Sequence, residues 1–294
     1  MFGGSQEMFV RPRNPLMNRR DALSWGFGTA AVSVVAAASP ANSVSAAQTA
    51  PTAQMALSAP PPILVIAATA RSAPEILSQA LSQGRRVTAL ARNPDKIEVS
   101  AHPNLKVVRG DVYDIASLAA AMSGAEAVIS LIGPRVIDHS KEIGFVDLYS
   151  VGTATIISAM RRKGNRRLIA VSSGGPEQIP AAKPGADDKI GTWVWNARNL
   201  YGDMQRMEKI IAVSDLETVI LRARNFGPGP RLDNLKLKVH DNYTDFEQYR
   251  DLSRRTPGER SRVTYADFGA LCLSVAQGER FLGKSVGVYS EVLI

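Results

Sequence analysis

The feature that most constrains this chain is an alternation that begins at Ile63. Four apolar residues, Ile63 to Ile66, run into the small-residue turn "AATARSA", and the turn runs into Pro74-Glu75 and a stretch with helical apolar spacing (Ile76, Leu77, Ala80, Leu81). That order is a strand, a tight turn and a helix N-terminus. The same alternation continues. "RRVTALAR" (85–92) follows Gly84, which stops the first helix. "LKVVRGD" (105–111), "AEAVISLIG" (125–133), "RRLIAVSSGG" (166–175) and "LETVILRARNF" (216–226) are further strand-like runs, and helical segments precede the last three. Short apolar strands alternating with helices predict a parallel sheet covered on both faces. Right-handed crossovers then give an α/β, Rossmann-type doubly wound sheet. After Phe226 the chain reads as irregular and polar to about Arg262, a small C-terminal region on the substrate side. The helix "YADFGALCLSVAQG" and the strand "SVGVYS" then close the domain.

Composition excludes several classes. The 294 residues are 45% hydrophobic, enough for one large core, and carry a formal net charge of +8. The positives are scattered and not interleaved with aromatics, so nucleic acid is not an expected partner. A basic surface suits a phosphorylated ligand. The single cysteine, Cys272, excludes an internal disulfide, and its apolar setting marks a core residue. His102, His139 and His240 have no spaced companions, so no metal site is expected.

Ahead of the alternation, residues 1–47 resemble a twin-arginine export signal. Arg19-Arg20 is the pair, Leu23 fits the apolar position after it, and Trp25 to Ala38 is a short apolar region diluted by Gly26, Gly28, Thr29 and Ser33. Small residues at 44–47 offer a cleavage site. The apolar run falls short of the about 20 residues a membrane span needs, so stable insertion is not expected. Residues 48–62 form a Pro/Ala linker, and 63–294 form one domain. The resemblance implies the twin-arginine export machinery as a partner and the periplasm as the destination.

In a doubly wound sheet the ligand lies at the carboxyl ends of the strands. There the chain resembles the NAD(P)H-binding, NmrA-like branch of the atypical short-chain dehydrogenase/reductase superfamily, including its biliverdin- and flavin-reductase-like members. The resemblance spans about Ile63 to Ser290. It rests on the first turn, "ARNPDK", "VVRGDVYD", "AVISLIGP", "LIAVSSGG" and "DMQRMEKIIAVSDLETVILR". It implies a bound NADP, with NAD less favoured, and a small-molecule electron acceptor of flavin, quinone or biliverdin type.

The family writes its first turn G-A-T-G-x-x-G. This chain keeps Ala68, Thr69, Arg71 and Ser72 but carries Ala67, Ala70 and Ala73 in place of the glycines. The first glycine makes the tight turn, the second admits the pyrophosphate, and the third packs helix on strand. Ala70 is therefore expected to limit binding most, Ala67 through backbone strain if its φ is positive, and Ala73 least. The alternative reading is a catalytically silent, NmrA-like protein that binds a ligand or a partner.

Arg92 follows the second strand, where an acid would hold a ribose 2′-OH. With Arg71 it suits a 2′-phosphate. Asp111, with Val112 beside it, falls where the family carries an acid near the adenine, and is equally a turn former. Gly133 would admit the nicotinamide ribose.

Superfamily members that follow the alcohol dehydrogenase mechanism use Ser, Tyr and Lys as catalytic residues, with Tyr and Lys four residues apart. Here Ser172 and Ser173 lie at the right strand end and Tyr201 on the next helix, but Gln205 and Met204 occupy the positions open to the lysine. An uncharged neighbour cannot lower the tyrosine pKa. The three hydroxyls are expected to orient an acceptor that is itself electrophilic. Glu208 and Arg222 are expected to form a structural buried ion pair. Trp193 and Trp195 are expected in the loop after the fifth strand, lining a pocket or capping the core.

Overall fold

The computed structural model describes residues 60–134, 138, 140–174, 176, 179–223, 226–241 and 262–290. Residues 1–47, read as an export signal, and residues 48–59 of the expected linker lie outside them, as does His139. In chain order the strands are β1 (Ile63–Ile66), β2 (Val87–Ala91), β3 (Leu105–Arg109), β4 (Ala127–Ser130), β5 (Arg167–Ser173), β6 (Glu217–Ala223), β7 (Phe226–Gly227), β8 (Leu235–His240), β9 (Val263–Thr264) and β10 (Lys284–Ser290). The helices are α1 (Ala73–Ser82), α2 (Ile115–Ala121), α3 (Leu148–Lys163), α4 (Lys189–Asn196), α5 (Arg198–Ala212) and α6 (Tyr265–Gln277).

The main sheet runs β3-β2-β1-β4-β5-β6-β10-β8, and only the β10–β8 pair is antiparallel. Strand order reverses between β1 and β4, which places the ligand crevice beyond the carboxyl end of β1. Every residue of β1 is buried because both faces are covered. One apolar layer joins the sheet to α1 and α6. The other joins it to α2, α3 and α5.

Local sequence accounts for the helices that frame the crevice. Pro74 sits in the first turn of α1, where its missing N–H has no intrahelical partner to lose. Ala73, Ile76, Leu77, Ala80 and Leu81 form its buried stripe, and Gly84 takes φ 73° just beyond its end. In α3, Gly164 at φ 74° closes the helix after Arg161, Arg162 and Lys163, whose charges oppose the C-terminal dipole.

Two expectations are corrected. Part of the stretch read as irregular is a strand, because Leu235 and Leu237 alternate with Lys236 and Lys238 at period two. The leucines pack on the core while β8 pairs along β10. Trp193 and Trp195 lie on α4 and not in a loop.

Candidate cofactor site

The turn after β1 is built by two successive hydrogen-bonded turns. The Ala67 carbonyl accepts the Ala70 N–H at 2.8 Å, and the Ala70 carbonyl accepts the Ala73 N–H at 2.9 Å. The Ala68 N–H donates to the Leu90 carbonyl at 2.9 Å, which fixes the turn to β2. Ala67 has φ 59°. A left-handed alanine costs about 1 kcal/mol, so the strain expected from the missing first glycine is present. Ala70 and Ala73 have no positive φ and carry no such strain. Ala73 is fully buried against the core, in keeping with a helix–strand packing role.

The expectation for Ala70 is modified by its packing. Its methyl is partly buried against the apolar layer under α1, so it obstructs a pyrophosphate less than a free methyl would. Among the described residues, the N–H groups of Thr69, Arg71 and Ser72 donate no hydrogen bond. They stand at the start of α1, where unpaired donors and the helix dipole favour an anion.

Arg92 is the first residue past β2 and is exposed, as is Arg71. Neither forms an ion pair among the described residues. Arg109, the last residue of β3, donates from Nε to the Arg92 carbonyl at 3.2 Å. Sequence reasoning missed Arg109, although the strand reading itself put it at a carboxyl end. Asp111 accepts the Tyr113 N–H at 3.1 Å and donates its own N–H to Ser117 at 3.2 Å, so it does shape the turn. Val112 is buried and packs toward Gly152 of α3, where an added Cβ would lie 3.3 Å from its Cγ2.

Gly133 leaves room for a side chain of the protein. A Cβ there would lie 3.1 Å from the hydroxyl of Tyr149, the second residue of α3. Tyr149 is a second residue that sequence reasoning missed. Burial, then the nearby Tyr201 and Asp203, pushes its phenol above the ordinary value. Burial does the same to Tyr201. Both phenols stay protonated at neutral pH and can donate hydrogen bonds.

The strand end at Ser172 does different work from the one expected. Register pairs Ser172 with Arg222 across β5 and β6. Its Oγ donates to Glu208 Oε1 at 2.6 Å. Arg222 Nε donates to the same oxygen at 3.1 Å, and Arg222 Nη2 bonds Glu208 Oε2. All three side chains are buried, so Ser172 completes the buried ion pair and does not face an acceptor. Ser173 is half-buried, with its Oγ 3.6 Å from Met204 Sδ. Tyr201 lies in the first turn of α5, and Gln205, one turn on, donates to the Pro176 carbonyl at 2.8 Å. No lysine therefore tunes Tyr201 from that position.

The α4–α5 corner holds the chain that follows β4. Arg198 pairs with Glu142 and lies 4.6 Å above the Trp195 ring. Asn199 donates to the Ile143 carbonyl at 2.8 Å. Trp193 is 51% exposed. A separate groove of about 800 Å³, lined by Tyr113, Val151, Ala154, Arg206 and Ile210 among others, includes none of the predicted site residues. Among the described residues no cluster suits a metal ion, and no helix is long and apolar enough to cross a membrane.

A mostly parallel doubly wound sheet whose first turn offers free N–H groups to an anion defines the class as a Rossmann-type dinucleotide-binding protein. The chain belongs to the NAD(P)H-binding family, which matches residues 67–256. Among solved structures it is similar to a Rossmann-fold NAD(P)-binding family protein from Shigella flexneri, at 21% identity over 78% of this chain and 93% of that one, with TM-score 0.54. It is similar also to a wide-type short-chain dehydrogenase/reductase from Veillonella parvula in complex with NADP, at 18% identity over 78% and 94%, TM-score 0.55. A third is an anaerobillin reductase from Escherichia coli O157:H7, at 19% identity over 79% and 98%, TM-score 0.57. At these identities the likeness is one of fold.

Proposed function

We propose that the protein is an NADP(H)-dependent oxidoreductase of the atypical short-chain class, acting on an electrophilic acceptor of flavin, quinone or biliverdin type. The observation that carries this reading is the arginine-bearing rim at the ends of β2 and β3, with Arg92 and no acid directly after β2, beside a turn with three unpaired N–H groups. Thr69, Arg71 and Ser72 would hold the pyrophosphate, and Arg92 with Arg71 the 2′-phosphate. The nicotinamide, when bound, supplies the reducing equivalents. Tyr201 and Ser173 would orient the acceptor, with Tyr149 beside them. Without a lysine to tune Tyr201, an acceptor that takes its proton from water fits the site best. The Veillonella protein's NADP and the Escherichia coli protein's anaerobillin reductase activity support the reading by likeness of fold.

A second reading, a silent NmrA-like protein that binds a ligand or partner, is favoured by the strained Ala67 and the missing lysine. Titration of NADPH and NADH fluorescence decides between them. NADPH should bind more tightly than NADH by about 10- to 100-fold, from charge-assisted bonds to the 2′-phosphate. Arg92→Ala should remove most of that ratio. Ala67→Gly should leave stability nearly unchanged, because relief of about 1 kcal/mol of strain offsets glycine's backbone entropy. Ala70→Gly should lose about 0.5–1 kcal/mol, since nothing is strained there. The double variant should bind NADPH more tightly than the parent. No binding by the parent or the double variant would hand the site to the silent reading.

We also propose export to the periplasm by the twin-arginine route, which carries folded proteins, often with cofactor bound. The support is the sequence of residues 1–47 alone. A fusion of residues 1–50 to a folded reporter should be exported, and Arg19→Lys with Arg20→Lys should stop it. Export that survives the double change would show that another route is used.

A further inference from the structure

We infer that Arg109 is the positioning residue for Arg92 and the second cation of the clamp that selects a 2′-phosphorylated adenosine. This rests on the NADP(H) reading above and names the residue that makes the arginine rim selective.

The geometry starts from the β2–β3 ladder, which pairs Ala91 with Arg109. The zipping continues past the last pair. Gly110 N–H donates to the Ala91 carbonyl at 3.1 Å, and Arg109 Nε donates to the next carbonyl, that of Arg92, at 3.2 Å. Gly110 permits this close crossing, because a Cβ there would lie 2.8 Å from Leu90 Cδ1. On its other side Arg92 is followed by Asn93, whose backbone is restricted by Pro94. The Arg92 carbonyl is thus tied to β3, and the turn that follows it is narrowed by Pro94.

Arg109 does more than hold a carbonyl. Its guanidinium has five N–H donors and the carbonyl takes one. The rest have no partner among the described residues, and neither has the Arg92 guanidinium. Two exposed cations therefore stand at adjacent strand ends with no ion-pair partner. A doubly charged anion at these strand ends would meet two cations that no carboxylate among the described residues neutralises. A phosphate monoester beside an adenosine ribose has that charge, and the planar arginine fork matches its oxygens.

The test is calorimetric binding of adenosine 2′,5′-bisphosphate against 5′-AMP, with the full chain and with R92A, R109A, R92A/R109A and R109K. These probes differ only at the 2′-phosphate. The unmodified chain should favour the bisphosphate by about tenfold or more. R109A should lose most of that preference while leaving 5′-AMP affinity and the melting temperature unchanged. R92A should cost much less in the R109A background than in the unmodified chain, since a misplaced Arg92 has little left to lose. R109K should keep part of the preference through charge but not the coupling to Arg92. A full preference in R109A, or effects of R92A and R109A that simply multiply, overturns the positioning role. An unmodified chain that binds NADPH but shows no 2′-preference overturns the clamp while leaving dinucleotide binding intact.

Discussion

Glu208→Ala is expected to destabilise the protein by about 3–5 kcal/mol, because it strands the Arg222 guanidinium in the core. Glu208 and Arg222 are both buried, on α5 and β6, and share a two-pronged pair that Ser172 completes. The loss is one of pairing and not of charge as such. Glu208→Met combined with Arg222→Leu should therefore recover most of the stability. Ser172→Ala should lose about 1.5–3 kcal/mol, the value of one hydrogen bond to a charged group. Urea unfolding with an unchanged m-value would measure all three. A Glu208→Ala loss under about 1 kcal/mol, against the value expected for a broken buried pair, would mean the pair is not formed in solution.

Asp203→Ala is expected to lower the melting temperature by about 6–12 °C, from a loss of about 3 kcal/mol in a domain of this size. Asp203 lies on α5 yet caps α3. Its fully buried carboxylate accepts the Tyr149 N–H at 2.7 Å, the Ser150 N–H at 3.4 Å and the Ser150 hydroxyl. These are the first-turn donors of α3 that would otherwise lack partners. Asp147 occupies the N-cap position itself but makes no side-chain cap bond, and accepts instead from the Tyr113 hydroxyl at 2.9 Å. Asp147→Ala should consequently be mild. Asp203→Asn, which keeps an acceptor oxygen, should fall between the two. Hydrogen exchange at the Tyr149 and Ser150 amides separates the cases: faster exchange in Asp147→Ala than in Asp203→Ala would reverse the assignment.

Those two residues show where sequence reading reaches and where it stops. Hydrophobic period and turn chemistry are local, and they sufficed for β1 to β6, for the crevice at the end of β1 and for the strained conformation of Ala67. The Glu208–Arg222 pair was also legible, since a charged residue inside an apolar helix face or strand needs a partner. Ser172 was misjudged because its partner is set by the β5–β6 register, which is a property of the assembled sheet. Asp203 could not be distinguished from any polar helix residue, because its partners lie 53 and 54 residues away. Tyr149 gave no motif, and only the space left by Gly133 reveals it. The strand β8 was hidden by its lysines, which lower mean hydropathy while leaving the alternation intact. Residues 242–261, within the same region, fall outside the described part of the chain.

Cys272 is wholly buried in α6, and burial pushes its thiol far above the ordinary range. It is the sole cysteine of the 294 residues. A thiol that is neither ionised nor reachable does not exchange with disulfides or react readily with peroxides. The protein therefore has no thiol–disulfide couple of its own to compete for electrons. It also has no surface thiol through which two copies could become cross-linked. Its fold therefore does not hinge on whether the surroundings make or break disulfides, and the reducing equivalents proposed for its reaction would arrive on a bound nucleotide and not on a cysteine.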